Sequence, residues 1–269
     1  MTAIIETAYY AYILVYVDDI LIIDKNRERF MDLLKEKDTV KLSSIGEPKV
    51  YLGADILKAY YLEGSYAWTM GSQSYVEEAI HNIKKQLLLC NLRFNKQLSD
   101  VRYSPKKPFS SIDYKSVLDT SIMSDQDQAN YFQNLIGYLR WIIELGRVDI
   151  AHEVSSLSKF LVKPRMGHIY RALHIFKYME THIENQLSFD PLYQYHAHSN
   201  DIRKIINDMK QVYIDATEDF PPNAPEPRSK SLQINCFVDV DYGGDKITRR
   251  SQTGIILFGN LVPLVWYSK

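Results

Sequence analysis

The chain has 269 residues, 46% of them hydrophobic and 24% charged, which excludes a disordered or fibrous polymer and suits one large or two modest domains. A formal net charge of −1 neither selects nor excludes a polyanionic partner. Its two cysteines, Cys90 and Cys236, stand far apart in no metal-ligand spacing, which excludes a disulfide framework and fits a reducing compartment.

The opening run "YYAYILVYVDDILIID", residues 9–24, is apolar but interrupted by Asp18 and Asp19, and no cation precedes Lys25. A signal peptide needs a basic start and a membrane span tolerates no such charges, so neither is expected and the location is read as intracellular and cytoplasmic. Residues 9–16 and 20–23 are rich in β-branched and aromatic side chains and predict a hairpin, with Val17, Asp18 and Asp19 as its turn. A helix follows, with Phe30, Leu33 and Leu34 on one face, ending near Asp38. "KLSSIGEPKVYLGADI" then places a turn at Gly46, Glu47 and Pro48 and a strand over residues 50–56.

From Ser74 the pattern turns helical. Ser74 and Glu77 make a capping-box signature, and Val76, Ile80, Ile83 and Leu87 fall on one stripe. After a loop-rich stretch containing Pro105 and Pro108, Ser124 is read as the cap of a helix carrying Phe132, Leu135, Ile136, Leu139 and Ile143, closed by Gly146. Asp149 is read as opening a second helix, with Ile150, Val154, Leu157 and Leu161 inward and Pro164 ending it. A third spans residues 166–182, with Ile169, Leu173, Phe176 and Met179 inward. "FPPNAPEPRSK" is a proline-rich, semi-rigid linker, and beyond it "LQINCFVDV", "TGIILFG" and "LVPLVWYSK" read as strands. The expected fold class is α+β, divided at residues 1–63, 64–190, 191–230 and 231–269, with the helical middle folding best.

Two adjacent carboxylates in an apolar run need a reason, because a buried unpaired carboxylate protonates, pairs or takes a metal. At a hairpin tip, Asp18 and Asp19 suit Mg²⁺, which binds one or two carboxylates together with substrate phosphates, and a two-metal site of this kind serves phosphoryl transfer. An ordinary charged turn is the alternative, since Asp favours turns.

The surrounding words carry a resemblance. Tyr16-Val17-Asp18-Asp19 between apolar strands resembles the polymerase signature of reverse transcriptases. "KLSSIGEPKVYLGADI", "QSYVEEAI", "YFQNLIGYLRWIIELGRVDIAHEVSSLSKFLVKP" and "FVDVDYGGDKITRRSQTGIILFGNLVPLVWYSK" resemble, in order, the following segments of copia-type (pseudovirus) LTR retrotransposon pol polyproteins. The blocks cover nearly the whole chain outside residues 91–112 and 192–220. The resemblance implies a palm hairpin and sheet, a helical thumb and connection, and the first strands of an RNase H-like domain. It implies RNA-directed DNA synthesis with Mg²⁺ (Mn²⁺ as substitute), with Asp18 the direct metal ligand, Asp19 its catalytic partner and Tyr16 beside them. Leu52 and Gly53, in a primer-grip-like hairpin, would hold the primer end. Asp239 would be the first RNase H metal ligand, with Asp241 a neighbour on the same face. The implied partners are an RNA/DNA primer–template hybrid and the remainder of the pol polyprotein, with no membrane, inside a virus-like particle in the parent element.

Two departures bear on activity. The family's third polymerase aspartate lies upstream of the hairpin and its further RNase H carboxylates lie downstream, so each site is expected in part and the isolated chain is expected to be inactive. Arg147-Val148-Asp149 stands where the family has Arg-Pro-Asp. Lys41 lies where some polymerases carry a basic general acid, although a surface lysine is the favoured account. Arg171, His174 and Lys177, with Lys159, Lys163 and Arg165, make a basic patch that could track a phosphate backbone or be a solvated face. His196 and His198 alternate as strand ligands do but have no third ligand in view. Two rival readings stand beside the polymerase fragment: a non-catalytic nucleic-acid-binding protein, and the non-functional product of a decayed element.

Overall fold

The computed structural model describes residues 10–24, 26, 28, 30–32, 45–61, 64–89, 105–109, 118–189, 222–223, 234–245 and 249–269. The chain divides into two compact units, Met1–Gly46 with Leu192–Gln233, and Glu47–Pro191 with Ile234–Lys269. Leu33, Leu34, Lys41, Cys90, His196, His198 and most of the proline-rich linker lie outside the described residues.

In the first unit, β1 (Tyr12–Tyr16) and β2 (Asp19–Ile23) pair antiparallel, Tyr12 opposite Ile23 and Tyr16 opposite Asp19. The turn is therefore Val17-Asp18 alone. Asp19, expected in the turn, is the first paired residue of β2, because a two-residue connection matches the twist of the flanking strands. Glu28 and residues 30–32 are helical, around the expected Phe30.

The second unit begins with β3 (Val50–Tyr51), β4 (Ala54–Tyr60) and β5 (Tyr66–Gly71). The single strand expected over residues 50–56 is instead a tight hairpin broken at Leu52-Gly53, with Tyr51 opposite Ala54. Helices α1 (Gln73–Leu89) and α2 (Gln126–Glu144) follow, then a 3₁₀ turn at Val148–Ile150, α3 (Ala151–Ser158) and α4 (Met166–Thr181). The short β6 (Gln186–Phe189) returns to pair with β5, giving an antiparallel sheet of order β3-β4-β5-β6. A second antiparallel sheet is formed by β7 (Ile234–Asp241), β8 (Gln252–Gly259) and β9 (Val262–Ser268), with a register shift between Leu257 and Phe258.

The helices exist because their apolar stripes meet. Phe132, Leu135, Leu139 and Ile142 of α2 close with Val76 and Ile83 of α1, Val154 and Leu157 of α3, and Ile169, Phe176 and Met179 of α4 into one buried core. Each such side chain removed from water is worth about 1.5–3 kcal/mol before entropy is counted. The caps differ from the expected ones. The α2 cap is Asp125, whose carboxylate accepts from the Gln128 N–H at 2.8 Å while the Gln128 side chain accepts from the Asp125 N–H at 3.0 Å; Ser124 sits one residue outside. Ser74 lies inside the first turn of α1, and its N–H donates to the buried Asp55 carboxylate of β4 at 2.8 Å, so an acid from the sheet does the capping.

Asp149, expected to open a regular helix, is the middle residue of the 3₁₀ turn Val148–Ile150, and its side chain is engaged. Buried Arg147 donates from Nε and Nη2 to its two oxygens at 2.9 and 2.8 Å and from Nη1 to the His182 carbonyl at 3.1 Å, and Tyr178 donates to Asp149 at 2.9 Å. Burial alone would raise the Asp149 carboxyl; the Arg147 hydrogen bonds and charge outweigh it and hold the group below the usual range. Burial and the facing carboxylate push Tyr178 up to about 12. This clamp ties the α2–α3 corner to the end of α4.

Candidate functional site

The β1–β2 tip carries the first candidate pair. Two-residue hairpin turns of this kind demand a left-handed backbone, usually met by Asn or Gly. Here Val17 supplies it at φ 52°, a strained choice for a β-branched residue. Tyr16, Asp18 and Asp19 are all exposed, and among the described residues neither carboxylate has an ion pair. An exposed tip with paired acids offers oxygen donors without the desolvation that burial imposes. The donor set fits a divalent cation completed by water or phosphate, although no group of three or more His, Cys, Asp or Glu is gathered among the described residues.

The second candidate is the β3–β4 turn. Leu52 (φ 52°) and Gly53 (φ 81°) both adopt the left-handed region and both are exposed. A Cβ on Gly53 would stand 3.6 Å from Nε1 of Trp141, so α2 lays a half-exposed indole against this turn. Sequence reasoning missed Trp141. The signal was there: a tryptophan on the solvent side of an amphipathic helix buries nothing useful to the core. On the same sheet, Lys58 pairs with Glu47 at 2.6 Å and lies 4.7 and 4.9 Å from the ring centres of Tyr66 and Trp68.

In the third region the strand alternation puts Asp239 and Asp241 on one face of β7. Their surroundings differ. Asp241 accepts from the backbone N–H of Gly244 at 2.9 Å and of Gln252 at 3.3 Å, so it builds the β7–β8 turn. A Cβ on Gly244 would collide with that carboxylate, which is why glycine stands there. Asp239 is exposed, opposite Gly254, which is opposite Ser268, so small residues leave room beside it. Ser156 of α3 lies 3.4 Å from the Gln252 side chain, and Gln252 faces Asp241 across the ladder; α3 thus approaches the face that carries Asp239.

The basic residues of α4 do not form an open patch. Arg165 donates to the Ser121 carbonyl at 2.5 Å, Arg171 lies 3.9 Å from Asp119, and Lys177 lies 2.6 Å from Glu180, which also holds Lys84 at 2.8 Å. His174 is half-buried, whereas Lys163 is exposed. Burial would raise Asp119, but hydrogen bonds from Ser121 and the charges of His168 and Arg171 bring it below its ordinary value. Burial of His168, which stacks on Phe160 at 3.8 Å, lowers its pKa to about 4. These groups strap residues 118–124 onto α4.

A Saccharomyces cerevisiae (strain S288c) protein named "Putative transposon Ty5-1 protein YCL074W" is 27% identical over 178 residues, 63% of this chain and 49% of the relative. The chain spans about half the length of that curated relative and is thus related to a transposon protein. No family model matches the chain, and no solved structure matches it. No helix among the described residues is long and apolar enough to cross a membrane.

Proposed function

We propose that the chain is a piece of the reverse transcriptase and RNase H region of a copia-type retrotransposon, a machinery that copies RNA into DNA. The observation that carries this reading is the exposed Asp18-Asp19 pair at a strained two-residue hairpin tip beside Tyr16. The relation to a transposon protein supports it.

In this reading Asp18 and Asp19 hold Mg²⁺, or Mn²⁺ in its place, and Asp239 holds a metal in the second domain. The metal, when bound, supplies charge stabilisation for phosphoryl transfer. The chain's own residues do the rest. The hairpin turn sets the two carboxylates side by side, which lowers the cost of orienting the reacting groups. The Leu52-Gly53 turn, with the Trp141 indole against it, offers an apolar and backbone surface for the primer end of an RNA/DNA hybrid.

The test is primer extension on an RNA template with Mg²⁺ by this chain joined to the amino-terminal half of a copia-type reverse transcriptase. Extension is expected with the wild-type sequence and its loss with Asp18→Asn, which keeps shape but removes charge. Extension by Asp18→Asn at the wild-type rate overturns the reading.

A further inference from the structure

The alternation along β7, β8 and β9 sorts their side chains onto two unlike faces. One face carries Asp239 and Asp241, with Gln252 and Ser268 beside them, and α3 approaches it through the Ser156–Gln252 contact. The register puts Ile234, Cys236, Val238 and Val240 of β7 on the other face, with Val265 and Tyr267 of β9. Ile255 and Leu257 of β8 lie between these two rows, each opposite a residue of both neighbours. The three strands place no charged residue on this second face; Lys269 follows at one corner, its backbone paired with Thr253. A pattern of this kind belongs to a sheet with that face buried. Here the face meets water: Ile234, Val238, Val240, Val265 and Tyr267 are 48–61% exposed, and Cys236 is exposed.

We propose that this apolar face is an interface between two copies of the chain, which close face to face as a two-sheet sandwich about a two-fold axis. The interface needs neither a metal nor a nucleic acid and goes beyond the polymerase reading. The chemistry of the face selects the partner. A charged surface laid on it would leave its charges unpaired against Val238 and Val265, at a cost in desolvation. A second copy brings an equally charge-free surface of the same size and twist, and two identical faces related by a two-fold axis are self-complementary. Sheets stacked in this way lie about 10 Å apart with their strands within about 30° of each other, so side chains of one copy fit between rows of the other. The area agrees. The exposed side chains leave each copy roughly 600 Å² to bury, at the upper end for the largest apolar patch of a monomer. Two copies together take roughly 1,200 Å² from water, the lower end for a specific interface, so the dimer is reversible.

The test is sedimentation velocity of the full chain from about 1 to 100 µM. At the same concentrations the reaction of Cys236 with a thiol reagent is followed in a Cys90→Ser chain, where it is the remaining cysteine. The wild-type chain is expected to pass from monomer to dimer over this range, and the Cys236 reaction to slow several-fold as the dimer forms. Val238→Lys puts an ammonium on the face at a position open to water in the single copy. It should keep the chain monomeric throughout, with Cys236 fully reactive. Val162→Lys, at an 83% exposed position beyond α3, should leave the dimer unchanged. Circular dichroism melts check folding, and Val265→Lys serves if Val238→Lys does not fold. A chain that stays monomeric at about 100 µM overturns the proposal, as does a dimer in which Cys236 reacts as fast as in the monomer. A dimer that survives Val238→Lys in the folded chain overturns it too. Open-ended growth into larger assemblies would place the association on strand edges instead and is equally contrary. None of these readouts depends on Asp18, so the polymerase reading and this interface fail separately.

Discussion

The helical part of the molecule and its strand tips treat carboxylates in opposite ways. Around the helices, each acid that leaves water is engaged: Asp55 caps α1, Asp149 is gripped by Arg147 and Tyr178, and Asp119 straps residues 118–124 to α4. At the strand tips and on β7, Asp18, Asp19 and Asp239 stand exposed with no ion pair among the described residues. A folded chain uses its buried acids to hold itself together. Acids left exposed on strands and their turns can meet an external cation. The contrast predicts that the first set governs stability and the second governs binding.

The helical core should show the largest effect. Phe132→Ala removes a wholly buried ring and should cost about 3–5 kcal/mol in denaturant unfolding. Next comes the clamp. Arg147→Ala leaves Asp149 with Tyr178 as its remaining side-chain donor and takes the Arg147 donor from the His182 carbonyl, and a loss of about 3 kcal/mol is expected, reduced by the partial exposure of Asp149. A loss below about 1 kcal/mol would place the clamp outside the stabilising set.

The strap adds a pH dependence. His168 accepts the Arg165 N–H at Nδ1 and is buried, so the folded state prefers the neutral ring, with a pKa of about 4 against 6.5 for a free histidine. The unfolded chain therefore binds the extra proton first. Stability should be full above about pH 6.5 and fall by about 2–3 kcal/mol as pH drops towards 4, with Asp119 acting in the same direction below that. His168→Gln, which can still accept the Arg165 N–H, should flatten the slope between those values. An unchanged slope would assign it to other groups.

Much of this was legible in the sequence, and the misses have local reasons. The α4 stripe of Ile169, Leu173, Phe176 and Met179 follows the helical period and is buried as read. The paired runs of β7 to β9 announced themselves by β-branched residues between turns. The capping residue of α1 was not legible, because Asp55 comes from a strand and not from the helix's own start. At α2 two capping residues stand side by side, and Gln128 at the third helical position selects Asp125 over Ser124. β6 is four residues long and owes its existence to β5, far away in the chain, so no local pattern marks it. The acids Asp18, Asp19 and Asp239 were singled out by neighbouring words, whereas Trp141 emerges only when a helix meets a turn.

The smallest stability effect should come from the exposed acids themselves: Asp18→Asn and Asp239→Asn are each expected to move unfolding by less than about 0.5 kcal/mol. The contrast between the two sets is tested most directly by Mn²⁺ titration, read by electron paramagnetic resonance. The full chain is used in an Asp239→Asn background, so that the hairpin is the candidate site. Adding Asp18→Asn should weaken Mn²⁺ binding at least about tenfold with the unfolding midpoint unchanged, while adding Asp55→Asn should lower the midpoint and leave the Mn²⁺ titration as it was. Equal Mn²⁺ binding with and without Asp18, or a chain that unfolds when Asp18 is replaced, would contradict the account.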